Sequence, residues 1–284
     1  MPRQRLKSAQ NASPSKVRPI VIVGAGNMGG ALARGLIAKG LGGKLIVVDP
    51  ALALGNARRY RAAGVTAVKS ATDLAATKPR ALIFAIKPQL MQTVVPDYAP
   101  AARSALIISI AAGTTSERLA TWLGAGAAIV RAMPNLPAAI GKGISAAFAT
   151  PQVAPAQRAL AERVLRAVGE VIWLEREELI DSVTAVSGSG PAYVFLLVEA
   201  LAKAGVAVGL PPETALKLAR KTVEGAGAFL AERQEAAEDL RRAVTSPGGT
   251  TEAALRILMS ERGLEPLLRA AVLAATARGR ELGK

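Results

Sequence analysis

An α/β fold is predicted for this chain, a doubly wound parallel sheet in its N-terminal part followed by an all-α C-terminal region. Three observations predict it. Short β-branched runs alternate with helix-length segments from residue 20 to about residue 170, a glycine-rich turn separates the first run from the next helical stretch, and from Glu177 onward the pattern is helical. The 284 residues are 51% hydrophobic but only 3% aromatic, so close-packed aliphatic layers must supply the cores.

The runs Ile20–Val23, Lys44–Val48, Ala81–Ile86, Ala105–Ile110 and Ala127–Arg131 are expected as buried parallel strands, with helices in the intervals. The alternation stops near Glu170–Leu174. Beyond it, Ala192–Val208, Pro212–Arg233 and Leu264–Leu282 are expected as helices, punctuated at Gly188–Pro191, Gly209–Pro212, Pro247–Gly249 and Gly263. Their wide apolar faces call for packing against another subunit. The expected organisation is a basic disordered tail over residues 1–18, a nucleotide-type domain over 19–174 and a helical domain over 175–284.

With no cysteine and no histidine, thiolate chemistry, disulfides, imidazole-based triads and zinc sites with nitrogen or sulfur ligands are excluded, and no metal site is expected. The longest apolar stretch, Pro191 to Val198, ends at Glu199, short of the roughly 18 residues of a membrane span, so a soluble, cytoplasmic protein without a membrane partner is expected. Residues 1–18 carry Arg3, Arg5, Lys7, Lys16 and Arg18 without an apolar secretory core; a transit-like peptide has a similar composition. The whole net charge of +15 falls within the first 150 residues, and the remainder is balanced. Lacking a Lys/Arg stripe interleaved with aromatics, that half suits a small phosphorylated cofactor better than nucleic acid.

The string IVIVGAGNMGGAL places Gly24, Gly26 and Gly29 in G-x-G-x-x-G spacing, directly after a strand and opening a helix. That context marks a Rossmann-type dinucleotide site: a tight turn, a close backbone approach to pyrophosphate, close helix–strand packing and a helix N-terminus offering N–H donors. Asp49, at the end of the second strand, stands where an acid takes the ribose hydroxyls of NADH; Arg58, Arg59 and Arg61 follow and can turn toward a 2′-phosphate, so NADH and NADPH both stay open. AIKPQ (Ala85 to Gln89) and SIAAG (Ser109 to Gly113) sit at strand exits, where open α/β sheets bind ligands. VSGSGPAY (Val186 to Tyr193) and VTSPGGTTEAAL (Val244 to Leu255) are expected as Ser/Gly/Pro loops that open helices. They can bind a carboxylate through bare N–H groups, or simply cap helices through Ser189 and Thr250 or Thr251, with Pro191 near the first helical position.

In that order and at compatible spacing, VGAGNMGGAL, AIKPQ, SIAAG, RAMPNLPA (Arg131 to Ala138), VSGSGPAY and VTSPGGTTEAAL resemble the pyrroline-5-carboxylate reductase family over residues 19–284. The resemblance implies reduction of the ring C=N of 1-pyrroline-5-carboxylate to L-proline by NADPH or NADH, the last step of proline biosynthesis. It implies cofactor contacts at Gly24, Ala25, Gly26, Asn27, Met28 and Gly29, at Ala85, Ile86, Lys87 and Pro88, and at Ile110, Ala111 and Ala112, beside Asp49 and Thr72. For the substrate it implies Ser246, Pro247, Gly248, Gly249, Thr250 and Thr251, with the Thr251 hydroxyl near the ring nitrogen as the catalytic contact. It further implies a homodimer or larger homo-oligomer whose substrate loop crosses the subunit interface. Three residues depart from the family pattern: Leu136 replaces the usual Thr, Thr72 stands about where Asn is frequent, and Asp49 is unusual for an NADPH-preferring member.

A cyclic imine is far more basic than a ketone and can react as its iminium, so a site without histidine suffices for hydride transfer to carbon. The nearest alternative is a β-hydroxyacid dehydrogenase, which uses a lysine one turn into the helix after its glycine-rich loop. Here Pro191, Ala192, Tyr193 and Val194 follow Gly190, and no lysine occurs before Lys203. A non-catalytic cofactor- or nucleic-acid-binding module is the remaining alternative.

Overall fold

The computed structural model describes residues 18–74 and 77–283. Among the described residues, eight strands form one sheet in the order β3-β2-β1-β4-β5-β6-β7-β8. They are β1 (Ile20–Val23), β2 (Leu45–Val48), β3 (Thr66–Val68), β4 (Ala81–Phe84), β5 (Leu106–Ser109), β6 (Ala128–Met133), β7 (Gly143–Ala149) and β8 (Gly169–Trp173). All pairs are parallel except β6 with β7. The α-helices among the described residues are α1 (Asn27–Ala38), α2 (Leu54–Ala62), α3 (Met91–Val94), α4 (Ala99–Ala102), α5 (Ser116–Leu123), α6 (Pro155–Leu165), α7 (Leu179–Val183), α8 (Gly190–Ala207), α9 (Pro212–Glu232), α10 (Ala237–Ala243), α11 (Thr250–Leu258) and α12 (Leu264–Leu282).

Strand alternation divides the core between two faces. Ile20, Ile22, Leu106 and Ile108 point to the side covered by Leu32 and Leu36 of α1 and Leu160 and Val164 of α6. Val21, Val23, Leu82, Phe84 and Ile107 point to the other, covered by Met91, Val95, Tyr98 and Leu119. The five expected strands are present, Ile20–Val23 with the same bounds and the other four with ends shifted by one or two residues. Three more join them. β3 is a three-residue edge, β7 is an alanine-rich strand running against β6, and β8 occupies the segment where the alternation stops.

The interval between β4 and β5 differs from the expected single helix. Pro88, Pro96 and Pro100 break it into the short α3 and α4 and two 3₁₀ turns, because a proline ring removes an N–H and clashes with the preceding turn. Arg18, assigned to the tail, is instead anchored: its guanidinium donates to the carbonyls of Lys78, Pro79 and Ser104. The rest of the expected tail lies outside the described residues.

VSGSGPAY is likewise not a loop. Thr184–Gly188 form one π-helical turn that carries α7 into α8 without a break, closed by Ser189 N–H on the Thr184 carbonyl at 2.8 Å. Pro191 lies at the start of α8, directly after the π turn, and Ser189 makes no side-chain cap. The continuous helix Leu179–Ala207 is long and apolar enough to cross a membrane by length and composition. Only 6% of its most apolar window is buried in a single chain, and Phe195, Leu196 and Leu197 are exposed. Such a face requires a partner.

Candidate active site

The order of the strands reverses at β1, between β2 and β4, and a crevice opens at the carboxyl ends of the strands on either side of such a point. Three of the expected cofactor segments sit there. Gly24 leaves β1 with φ +95°, its N–H on the Val48 carbonyl at 2.8 Å. A Cβ on Gly24 would lie 2.7 Å from the Ala85 carbonyl oxygen, so the turn and the β4 exit touch backbone to backbone. The exits of β4 and β5 are stitched in the same way, Ala85 N–H to Val23 and Ile110 N–H to Phe84.

Gly26 is exposed and caps α1 without any side-chain bond, and a Cβ there would meet nothing within 4 Å. Its small size is therefore not demanded by the protein's own packing. An open backbone facing the N–H groups of an uncapped helix, with no acid in the first turn of α1, fits the pyrophosphate of a dinucleotide. Asn27 is exposed beside it, whereas Met28 packs partly on the core and Gly29 is buried where a Cβ would overlap the Gly24 carbonyl. Ala111 is buried, at 6% exposure, Ala112 is half-buried, and Lys87 and Pro88 are exposed.

Asp49 is more than a free acid at a strand end. One carboxylate oxygen accepts the Ala25 N–H at 2.7 Å and the other accepts the Ala51 N–H at 2.8 Å, which ties the glycine turn to the exit of β2. It also lines a cavity of about 540 Å³ with Arg61 and Lys69. Of the three arginines expected near a 2′-phosphate, Arg61 is the one that lines this cavity. Thr72 lies after β3, its hydroxyl 2.7 Å from that of Ser70. Beside it, the Ser70 and Lys69 N–H groups and the Ser70 hydroxyl hold the Asp73 carboxyl below its ordinary range.

The expected substrate loop has a different setting. Ser246 to Gly249 form a turn with Gly248 at φ +70° and the Gly249 N–H on the Ser246 carbonyl at 3.0 Å. Gly249, not Thr250 or Thr251, is the N-cap of α11, and both threonines occupy the first helical turn. The Glu252 carboxylate takes the Gly248 N–H at 2.8 Å. The first N–H groups of α11, at Thr250, Thr251 and Glu252, are those that a helix start leaves without intrahelical partners. Neither α10 nor α11 packs extensively on the sheet within one chain. A single chain thus brings the cofactor segments together and leaves the substrate loop apart from them.

Sequence reasoning missed one cluster at the β5 exit. Arg131, 5% exposed within β6, places Nη1 2.6 Å from Glu177 Oε1. The same carboxylate accepts the Ser116 N–H at 2.7 Å and the Ser116 hydroxyl at the start of α5. Burial alone would raise the Glu177 carboxyl, but the bonds from Ser116 and Arg131 outweigh it and hold it below the usual range. The available signal was a lone charge inside the apolar run AIVRAM.

Comparison with known proteins follows this division. Residues 177–282 match the family profile described as pyrroline-5-carboxylate reductase dimerisation, and residues 19–113 match one described as NADP oxidoreductase, coenzyme F420-dependent. A pyrroline-5-carboxylate reductase of Pseudomonas aeruginosa is 41% identical, covering 93% of this chain and 97% of its own. The solved pyrroline-5-carboxylate reductase of Coxiella burnetii superposes with a TM-score of 0.86 at 37% identity, covering 94% of this chain and 99% of its own. That of Plasmodium falciparum, solved with NADP bound, gives 0.79 at 27% identity, with the same coverage of both chains.

Proposed function

We propose a division of labour among the residues of this chain, which belongs to the pyrroline-5-carboxylate reductase family: the β1, β4 and β5 exits hold the cofactor, and the Ser246–Thr251 loop holds the substrate. The activity is reduction of 1-pyrroline-5-carboxylate to L-proline by NADPH or NADH, in the cytoplasm. The dinucleotide supplies the hydride when bound. Gly24, Gly26 and the N–H groups opening α1 receive its pyrophosphate, and Asp49 faces its ribose with Arg61 and Lys69 nearby. Ala85 to Pro88 and Ile110 to Ala112 line the nicotinamide side.

The N–H groups of Thr250, Thr251 and Glu252 bind the substrate carboxylate, assisted by the positive end of α11. The Thr251 hydroxyl hydrogen-bonds the ring nitrogen and orients the C=N carbon. No side chain need deliver a proton if the imine reacts as its iminium, which accords with a chain that has no histidine. Residues 19–174 form the cofactor domain and residues 175–284 the domain for substrate and dimerisation. A second copy covers the exposed apolar face of Leu179–Ala207 and brings its own Ser246–Thr251 loop to the cofactor side. No membrane or nucleic acid enters this scheme.

One observation carries it: the uncrowded Gly26 cradle lies at the switch point of a chain similar along its whole sheet and helical region to the Pseudomonas reductase. The test is product analysis. Incubation with 1-pyrroline-5-carboxylate and NADPH or NADH yields chromatographically identifiable proline; its absence with both cofactors, from folded protein, refutes the assignment.

A further inference from the structure

The β5 exit, residues 110–115, has few side-chain stitches of its own. Ser109 Oγ accepts the Ala111 N–H at 3.4 Å, and Thr115 Oγ1 accepts the Arg118 N–H at 3.2 Å. The Ile110 N–H is held on the Phe84 carbonyl at 3.1 Å, and the restraints on the rest of the segment come from the helical region. At the end of the segment, Glu177, just before α7, accepts both the N–H and the hydroxyl of Ser116 and is itself fixed by buried Arg131. In the middle, Gly113 at φ +69° lies against the last turn of α12, where a Cβ would be 2.9 Å from the Leu282 carbonyl oxygen. The first residues and the last helix of the C-terminal region therefore meet on one segment of the sheet domain.

We infer that Glu177 is a positioning residue for cofactor binding: by holding Ser116 it keeps Ile110–Ala112 in the form that receives the nicotinamide half. The inference rests on the assignment of Ile110–Ala112 to the cofactor. Arg131 serves a different purpose in the same cluster. It neutralises the Glu177 charge and joins β6 to the domain junction, so its loss lowers stability without releasing Ser116. A released segment must be re-ordered when cofactor binds, which weakens affinity while leaving the bound complex competent.

Affinity and stability separate the two roles. In the full-length protein, NADPH and NADH dissociation constants are measured by calorimetry, alongside Tm and steady-state kinetics. Glu177→Leu is expected to weaken cofactor binding about tenfold, the equivalent of ordering roughly one residue of backbone, with kcat at saturating cofactor changed by no more than about twofold. Glu177→Gln keeps a carbonyl oxygen for the Ser116 N–H and Arg131 Nη1 but removes the charge that neutralises buried Arg131. It lowers Tm as far as Glu177→Leu, yet holds the dissociation constant within about threefold of the parent. Ser116→Ala, a milder change should Glu177→Leu fail to fold, weakens binding about threefold while leaving the ion pair intact.

Dissociation constants that simply track Tm across these variants, or that stay unchanged in both Glu177→Leu and Ser116→Ala, overturn the positioning role. Ala112→Leu tests the underlying assignment by filling the same space. If it weakens binding and the Glu177 and Ser116 variants do not, the assignment stands and the inference fails; if Ala112→Leu has no effect on binding, both fail.

Discussion

Gly26→Ala separates what the glycine turn does for the protein from what it does for a ligand. The Gly26 backbone, φ −64° and ψ −164°, is open to any residue, and its added Cβ meets nothing within 4 Å. Losing glycine at an N-cap costs a few tenths of a kcal/mol to about 1 kcal/mol, while reduced freedom of the unfolded chain returns about 0.4–1 kcal/mol. The net change in stability should be within about 0.5 kcal/mol, a Tm shift of no more than about 2 °C for a chain of this size. The methyl group nonetheless projects into the space assigned to pyrophosphate. Displacing that group from the N–H donors of α1 removes at least one charge-assisted hydrogen bond, about 1.5–3 kcal/mol, or roughly a 10- to 150-fold weaker dissociation constant.

Gly24→Ala is the contrast. Its Cβ would sit 2.7 Å from the Ala85 oxygen and 2.8 Å from Ile86 Cγ2, at φ +95°. Overpacking and a left-handed alanine together cost about 2–5 kcal/mol, lowering Tm by roughly 4–20 °C as well as weakening binding. Calorimetric titration with NADPH and NADH, alongside thermal unfolding, measures both quantities. Unchanged affinity in Gly26→Ala would refute the cradle assignment, whatever Gly24→Ala does.

Further consequences can be checked separately. Thr251→Ala should lower kcat about 10- to 100-fold, the loss of one preorganised hydrogen bond at the reacting nitrogen, while the cofactor dissociation constant stays unchanged; undiminished turnover removes Thr251 from the mechanism. Asp49→Asn keeps an acceptor for the Ala25 N–H but removes a charge from the cavity that holds Arg61 and Lys69, so the ratio of NADPH to NADH affinity should rise about tenfold. A ratio that stays constant means that the Asp49 carboxylate only braces the turn. Acid should destabilise the fold partly through Glu177. Its depressed carboxyl stabilises fully above the unfolded value near about 4.3, and this contribution disappears as pH falls through the lower folded value. Tm measured from pH 6 to pH 3 should therefore fall more steeply for the parent than for Glu177→Gln; parallel curves contradict the assignment.

The sheet was legible where its strands are buried on both faces, because Ile20–Val23, Ala81–Phe84 and Leu106–Ile108 are continuous apolar runs between punctuation. β3 was not, since three residues at an edge, two of them exposed, carry no hydrophobic pattern. β7 was hidden because GISAAFA offers alanines that suit a helix as well as a strand; its antiparallel pairing with β6 and parallel pairing with β8 make it a strand. In VSGSGPAY the glycines and proline read as loop punctuation, yet a π turn passes through them, and Tyr193 donates its hydroxyl to the Ala185 carbonyl across that turn.

The segments proposed for the cofactor were picked out from strand-turn-helix context, a local property of the chain, and the fold brings them to one crevice. The Arg131–Glu177–Ser116 cluster was not, because its members are separated by 46 and 61 residues and meet only through the fold. The separation of the Ser246–Thr251 loop from the sheet within one chain is likewise a tertiary fact. Local pattern indicates a helix start there, and only the packing shows that α11 lacks an extended contact with the sheet.

The most direct test of the central claim is the initial rate of nicotinamide oxidation, followed by absorbance, with 1-pyrroline-5-carboxylate and each of NADPH and NADH. A 3-hydroxy acid is assayed in the oxidative direction as control. Saturable turnover of the imine with at least one cofactor, and none of the hydroxy acid, is the predicted result. Folded protein that turns over the hydroxy acid, or leaves the imine untouched with both cofactors, would contradict the account.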